Sequence, residues 1–171
     1  VEIMLLPKWF PFHLDKVAYW SRTVMVPLFI LCSHKVTARN PQGTDVRELF
    51  TVAPELERNY FSHVQTPLGK MVLGLERIGF SLERFIPKKL RAHATVKARD
   101  WFIERLNGVD GLGAIFPAMV NAYEALDFLG YAEDHPHRKI ARESIERLLV
   151  IKDDEAYCQP CVSPIWDTGL T

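Results

Sequence analysis

The sequence predicts an all-α fold in which antiparallel helices are stacked in series. Apolar residues recur at three- and four-residue spacing along most of the 171-residue chain, and no segment shows the sustained apolar–polar alternation of a strand. The later helices are joined by short connections, which place consecutive helices side by side and antiparallel. An α-solenoid and an α/α barrel both fit this pattern. No strict internal repeat is visible, which disfavours a TPR or HEAT array.

The first helix is expected from about Leu14 to Ser33. Pro27 should kink it, because proline removes an internal hydrogen bond and clashes with the preceding turn. The apolar spacing predicts a buried face made of Val17, Trp20, Val24, Leu28 and Leu31.

Two stretches of the first half of the chain are predicted to be loops. Residues 3–12 are punctuated by Pro7 and Pro11 and favour an extended loop. Residues 35–67 are loop-rich, with a short helical turn expected near residues 46–50. A connection of this length is unusual in a compact domain and indicates a wrapping or functional segment.

Four further helices are expected over about residues 70–86, 95–106, 117–129 and 136–150. Pro87 should end the first of them. Asp134 is the expected N-cap of the last helix, where Pro136 suits the first turn. Glu143 and Arg147 are spaced for an i,i+4 ion pair on its exposed side.

Composition limits the classes of function. Lys plus Arg and Asp plus Glu number 21 each, so the formal net charge is zero and nothing attracts nucleic acid to the chain as a whole. The longest apolar run, residues 24–32, is too short to span a bilayer. Three cysteines argue against a secreted disulfide scaffold and favour a reducing, cytoplasmic setting. Both chain ends look cut, so we expect residues 1–171 to be a single partial domain.

The helix near residues 70–86 carries an apolar stripe, and Lys88, Lys89 and Arg91 follow it directly. A wide apolar face with cationic residues at its end suits an interfacial membrane helix. An ordinary core-facing helix with a solvated basic end is the commoner explanation of such a pattern. The stripe consists of Met71, Leu75, Ile78, Leu82 and Phe85, widened by Val72, Leu73 and Phe80.

The C-terminal region contains a CxxC pair and an acidic run. Cys158 and Cys161 have the spacing of a redox pair or of half a zinc site. A second CxxC and a matching histidine pattern are missing from the sequence, so two buried thiols are the simpler interpretation. Residues 153–155, Asp-Asp-Glu, are most simply a solvated turn.

Aromatic side chains are the remaining candidates for chemistry. Trp20 lies on the predicted apolar face, and Trp166 lies near the C-terminus. Aromatic faces lining a cavity stabilise a cation by about 0.5–2 kcal/mol per contact, although such residues are more often plain core. The sequence shows neither a nucleophile–base dyad nor a phosphate-binding glycine loop. The residues alone therefore indicate a soluble or peripheral-membrane helical module with an aromatic-rich interior.

Several blocks resemble the bacterial squalene–hopene cyclases, in family order and along nearly the whole chain. These blocks are Glu2–Phe12, Tyr19–Thr23, Arg39–Pro41, Arg47–Phe50, Leu106–Met119 and Ala156–Thr168. The family repeats end in a Gln and a Trp, and Leu106 and Leu112 stand at those two positions here. One repeat is therefore degenerate.

The resemblance implies the fold and the activity. The fold would be two α/α barrels around a large apolar cavity, and this chain would supply about a quarter of the enzyme as part of one barrel. The reaction would be the cyclisation of squalene to hopene, with hopanol as a water-quenched side product. An aspartic acid protonates the terminal alkene, and a shaped, dry, aromatic cavity guides the cation. The resemblance implies neither cofactor nor metal.

The resemblance also assigns residues to the cavity. They are Trp20, Trp166, Ile115, Phe116 and Pro117, with Pro160 and Cys161 nearby. Asp167 resembles a carboxylate behind the cavity wall. The family's proton donor belongs to an Asp-x-Asp-Asp-Thr motif, which this chain lacks. We therefore expect no catalytic residue in the chain and a proton donor beyond Thr171.

Further expectations concern partners and location. The resemblance makes the helix near residues 70–86 a contact with one membrane leaflet, on the cytoplasmic side of a bacterial membrane. It also implies a homodimer and no nucleic-acid partner. Two competing hypotheses stay open: a non-catalytic helical lipid-binding or interaction module, and a thiol redox or zinc protein that uses Cys158 and Cys161.

Overall fold

The computed structural model describes residues 1–37, 39–58, 61–108 and 110–161. Its helices are α1 Tyr19–Ser33, α2 Pro67–Glu83, α3 Lys88–Ile103, α4 Phe116–Phe128 and α5 Pro136–Arg147. Three short 3-10 helices span Glu2–Leu5, Leu14–Lys16 and Arg47–Leu49. Strands β1 Leu149–Ile151 and β2 Ala156–Cys158 form one antiparallel hairpin. The all-α prediction is confirmed, as is the short turn expected near residues 46–50.

The chain forms two compact units. The first contains Val1–Val36 together with the chain from Lys88 onward, and therefore holds α1, α3, α4, α5 and the hairpin. The second, Thr37–Pro87, contains α2 and the third 3-10 helix.

The buried face of α1 differs from the predicted one. Trp20 and Leu28 are exposed, and Val24 is only partly buried. The helix instead buries Thr23, Val26, Pro27, Ile30 and Leu31. Because α1 is apolar nearly all round, its hydrophobic pattern does not single out one face, and packing against α3 and α4 decides it.

Helix boundaries also depart from expectation. Helix α1 begins at Tyr19, because residues 14–16 form a separate 3-10 turn capped by the His13 side chain. The opening stretch is not fully extended, since Glu2–Leu5 is a 3-10 helix that buries Met4. Helix α3 begins at Lys88 rather than Thr95. The basic residues predicted to follow α2 therefore form the first turn of α3.

The C-terminal part of the first unit contains the strands that periodicity missed. Helix α5 ends at Arg147, and Val150 lies in β1 opposite Tyr157. Three-residue strands are too short to show an alternating pattern. The acidic run lies between the strands, where Asp153 and Asp154 are exposed as predicted.

The ends of α4 and α5 show how local chemistry sets helix limits. The α5 N-cap is His135 and not Asp134, because the His135 ring accepts the backbone N–H of His137. The Glu143–Arg147 pair is present at 3.9 Å. Helix α4 ends in a Schellman motif, in which Gly130 has φ +82° and Tyr131 N–H donates to the carbonyl of Leu126 at 3.1 Å.

Helices α1 and α4 run in the same direction. Near their N-terminal ends, Thr23 of α1 packs against Gly113, which precedes α4. Near their C-terminal ends, the rings of His34 and Phe128 are 4.9 Å apart.

Helices α3 and α5 are the antiparallel partners. Arg91, in the first turn of α3, donates to the carbonyl of Ser33 at the end of α1. In α5, Arg138 donates to the carbonyl of Tyr131 beyond the end of α4, and Ser144 lies beside Gly111, before α4. The resulting up–down alternation around a pair of parallel helices is the connectivity expected of part of an α/α barrel.

The core of the first unit lies between these four helices. Leu106 and Leu112, the two residues at the degenerate repeat, both belong to it, and Leu112 is fully buried. They therefore contribute apolar packing to this core. The core also includes Val26, Ile30, Ala94, Ala98, Phe102, Ala118, Ala122, Ala125, Leu126 and Ala141.

A charged contact joins three elements of the first unit. Arg91 of α3 donates from Nε to the Glu2 carboxylate at 2.7 Å and from Nη1 to the Ser33 carbonyl at 3.1 Å. Partial burial alone would raise the pKa of Glu2. The hydrogen bonds from Arg91 and the backbone outweigh it and lower the pKa to about 2.

Acid should weaken this unit through Glu2. Its pKa falls from 4.5 to about 2 on folding, so its contribution is fully present above pH 4.5 and is lost as the pH falls towards 2. We expect Glu2→Gln to cost about 1–3 kcal/mol at pH 7 and to flatten the loss of stability in acid. Urea unfolding of the chain at pH 7, 4 and 3 measures both. Parallel pH profiles for wild type and variant would contradict this assignment.

Candidate functional site

Residues predicted to lie at the cavity meet at the N-terminal end of α4, although they are far apart in sequence. The backbone N–H of Phe116 donates to the carbonyl of Pro160 at 2.9 Å. Ile115 and Cys161 form an antiparallel β-bridge beside this bond. The structure thus brings the segment 115–117 against residues 160–161.

This pairing forms because the first backbone N–H group of α4 has no acceptor within the helix. The first N–H groups of a helix have no partner within the helix. The N-cap of α4 is Ile115, whose side chain cannot accept a hydrogen bond. Pro117 brings no N–H group and suits the first turn, so the Phe116 N–H needs an acceptor, and Pro160 provides it. Ile115 and Phe116 are partly buried, and Pro117, Pro160 and Cys161 are exposed.

Trp20 lies at the same end of the helix stack, in the first turn of α1. Its side chain is 62% exposed, so it projects from the helix rather than lying on the buried face predicted from spacing. Thr23 is fully buried and donates from Oγ1 to the Trp20 carbonyl at 2.7 Å. The same Thr23 packs against Gly113, two residues before Ile115. One buried residue thus connects the turn that carries Trp20 to the segment that leads into Ile115 and Phe116.

A tight loop carries Gly113 to this position. Asn107 and Gly111 exchange two backbone hydrogen bonds of 2.9 and 3.1 Å. Gly113 then takes a φ of +70°, a left-handed conformation that favours glycine. Asn121 of α4 adds a second link to α1, donating from Nδ2 to the Val24 carbonyl at 3.1 Å.

Three of these contacting residues, Thr23, Gly113 and Asn121, were not identified from the sequence. The glycines at positions 108, 111 and 113 are the signal that could have indicated a loop with positive φ. Nothing in the sequence marked Thr23 or Asn121, because a polar residue on a helix gives no sign of which distant backbone group it will contact.

An arginine adds charge near the first turn of α1. The Arg22 guanidinium lies 5.8 Å from the Tyr19 ring centroid, and its Nη1 is 3.4 Å from the Asp15 carboxylate. The positive charge is thus partly balanced by Asp15 at the edge of the site.

Some predictions stay untested. Trp166 and Asp167 lie outside the described residues, so their assigned positions stay predictions. The cavity role of Trp20 and of residues 115–117 also stays a prediction, although their proximity to one end of the helix stack is observed.

The cysteine pair is not buried. Cys158 and Cys161 are both free and exposed, which corrects the interpretation of two buried thiols. All three residues of β2 are exposed, and so are residues 159–161, which follow it. Within the described ranges, no group of three or more His, Cys, Asp or Glu side chains is placed to hold a metal ion.

Helix α2 exposes the stripe that the sequence indicated. Met71, Leu75, Ile78, Leu82 and Phe85 are each more than half exposed. At about 100° per residue the first four lie on one side of the helix, whereas Leu73 and Phe80 lie on the opposite side and do not widen the stripe. Of the helices that the structure describes, none has the length and apolar character needed to cross a bilayer.

Comparison with known proteins shows that the chain is similar to terpene and triterpene cyclases. A dammaradiene synthase of Dryopteris crassirhizoma is 24% identical over 98% of this chain and 24% of its own length. Two bacterial squalene–hopene cyclases are much more similar. That of Bradyrhizobium diazoefficiens is 47% identical over the whole chain, and that of Zymomonas mobilis is 45% identical over 99% of it.

The family model of the squalene–hopene cyclase N-terminal domain matches residues 1–154. The chain belongs to the squalene–hopene cyclase family. It spans about a quarter of the curated relatives that it matches, namely 26% of both the Bradyrhizobium and the Zymomonas proteins.

Proposed function

We propose that the chain is part of a squalene–hopene cyclase and supplies a portion of its cavity wall and a membrane-contact helix. The complete enzyme would cyclise squalene to hopene, with hopanol formed when water quenches the cation. The observation that carries the proposal is the contact of residues 115–117 with residues 160–161, beside the turn that carries Trp20.

The described residues fit a role in shaping and stabilising rather than in proton donation. The acidic run 153–155 lies in an exposed turn, and the family's acid motif is missing from the sequence. Squalene is a hydrocarbon, so its binding rests on burial of apolar surface. The exposed indole of Trp20 offers an aromatic face to a passing carbocation, worth about 0.5–2 kcal/mol when desolvated.

Product analysis of the complete enzyme tests the role of Trp20. We expect Trp20→Ala to reduce hopene and to raise incompletely cyclised products by about two- to thirtyfold, because one stabilising contact with the cation is lost. Trp20→Phe should retain part of the wild-type pattern. Trp166→Ala is expected to give truncated products as well. Incubation with squalene followed by gas chromatography and mass spectrometry measures the distribution.

A matched control for this experiment is Trp9→Ala. Trp9 precedes α1, where its ring meets that of Phe10 edge-on, and it is not among the residues assigned to the cavity, so its loss should leave the product pattern unchanged. An unaltered pattern in Trp20→Ala would remove Trp20 from the cavity wall. Failure of the wild-type enzyme to form any hopene would contradict the proposed activity as a whole.

The membrane role rests on α2. Its apolar stripe is exposed along the helix, which suits a helix lying in the interface of one leaflet. In this proposal the enzyme binds the cytoplasmic side of a bacterial membrane and takes squalene from it. A homodimer is part of the proposal on family resemblance alone, and sedimentation of the detergent-solubilised enzyme tests it.

A non-catalytic lipid-binding module is the second candidate, because the exposed stripe of α2 suits it equally well. Vesicle binding does not separate the two candidates, since both use this helix. Hopene formation does, because only the cyclase produces it.

A further inference from the structure

We propose that Thr23 is a positioning residue for Trp20. It fixes the first turn of α1 against the segment that leads into Ile115 and Phe116, and thereby decides where the indole meets the substrate cation. This inference rests on the proposed cavity role of Trp20.

The core of the first unit does not hold the Trp20 side chain in place. Its indole is 62% exposed, so packing within this chain restrains it weakly. Its position therefore depends mainly on where the backbone of its helical turn lies. The Thr23 hydroxyl holds that backbone, donating to the Trp20 carbonyl at 2.7 Å.

Thr23 is itself held in place by Gly113, which lies outside α1. It is fully buried. A Cβ placed on Gly113 would lie 2.5 Å from its Oγ1 and 3.1 Å from its Cβ. The α1 turn at Thr23 and the backbone at Gly113 therefore approach as closely as a glycine allows. A β-branched side chain such as that of Thr23 also has few rotamers available. A shift of this turn must move the start of α4 as well.

Helix α1 lacks one of its internal hydrogen bonds in this turn. Pro27 has no N–H group, so the Thr23 carbonyl lacks its usual helical donor. One residue later, the Val24 carbonyl receives the Asn121 side chain at 3.1 Å. Residues outside α1, namely Gly113 and Asn121, thus contact the turn between Trp20 and Val24. They do so where Pro27 interrupts the backbone hydrogen bonds of the helix.

The experiment compares variants of the complete enzyme by their product distribution from squalene. Thr23→Val keeps the shape of the side chain and removes the hydroxyl, and Thr23→Ser keeps the hydroxyl. We expect Thr23→Val to raise incompletely cyclised products about three- to tenfold, part of the effect of Trp20→Ala, with little change in KM for squalene. Thr23→Ser should restore the wild-type pattern.

A matched control separates positioning from stability. Thr95 of α3 is also buried and also donates its hydroxyl to a carbonyl one turn earlier, that of Arg91 at 2.9 Å. Thr95→Val should therefore lower stability to a similar extent and leave the product distribution unchanged. A product shift as large in Thr95→Val as in Thr23→Val would overturn the positioning role.

The results for Thr23→Val and Trp20→Ala together also test the positioning role of Thr23. A wild-type pattern in Thr23→Val, with an altered pattern in Trp20→Ala, would overturn the positioning role and leave the proposed function intact. A wild-type pattern in Trp20→Ala would overturn the positioning role of Thr23 together with the cavity role of Trp20, while hopene formation by the wild-type enzyme would still decide the proposed activity. If Thr23→Val does not accumulate as folded protein, Thr23→Ala takes its place, because the smaller side chain cannot clash with Gly113.

Discussion

Replacing Leu75 and Leu82 together by glutamate should lower the binding of the complete enzyme to lipid vesicles by about a thousandfold. Both side chains are more than half exposed and lie on one side of α2. Each leucine buried in the bilayer interface contributes about 2 kcal/mol, and a loss of about 4 kcal/mol corresponds to a thousandfold change in affinity. A charged carboxylate in its place opposes burial further. Flotation with vesicles of neutral phospholipid measures the effect without contributions from lipid charge.

A matched control for this prediction is Ser81→Glu. It adds one carboxylate, where the double variant adds two, at the position before Leu82 and outside the apolar stripe, and it should leave vesicle binding nearly unchanged. Equal flotation of the double variant and the wild-type enzyme would remove α2 from the membrane contact. The proposed cyclase activity would then have to draw squalene through another surface.

The second large effect is expected from Gly113→Ala. Its φ of +70° costs an alanine about 1–2 kcal/mol. The new methyl group would also lie 2.5 Å from the buried Thr23 hydroxyl oxygen, and overpacking of this kind costs about 1–3 kcal/mol more. We therefore expect a loss of about 2–5 kcal/mol in the free energy of unfolding.

Comparison with Gly130→Ala separates the packing cost of Gly113→Ala from its conformational cost. Gly130 has φ +82° and no neighbouring atom within 4 Å of an added Cβ, so it should show the conformational cost alone. Urea unfolding of the 171-residue chain, followed by tryptophan fluorescence, suits the comparison, because Trp9, Trp20 and Trp101 belong to the first unit and residues 37–87 contain no tryptophan. Equal losses in the two variants would show that the contact between Gly113 and Thr23 is not tight in solution.

The number and order of the helices could be predicted because apolar spacing and proline positions are local signals. Five helices were expected and five are found among the described residues. Boundaries were less predictable, as at α3, which begins at Lys88 rather than near Thr95. The strands next to Arg147 were missed, because pairing across a turn leaves no pattern in three residues.

The buried face of α1 was the largest error in the fold prediction. Trp20 and Leu28 were assigned to the core from their spacing, and both are exposed, whereas Thr23 is buried. Apolarity cannot distinguish a residue that faces the core from one that faces a substrate or another part of a longer enzyme, since both avoid water.

The sequence alone determined the class of fold, the family resemblance and the apolar stripe of α2, since each depends on residue types at short, fixed spacing. The tertiary structure alone decided which distant residues meet at the start of α4 and which side of α1 is buried. It placed Thr23 between Trp20 and Gly113. These contacts depend on how helices far apart in sequence pack together, and packing selects one arrangement among several that the local patterns allow equally.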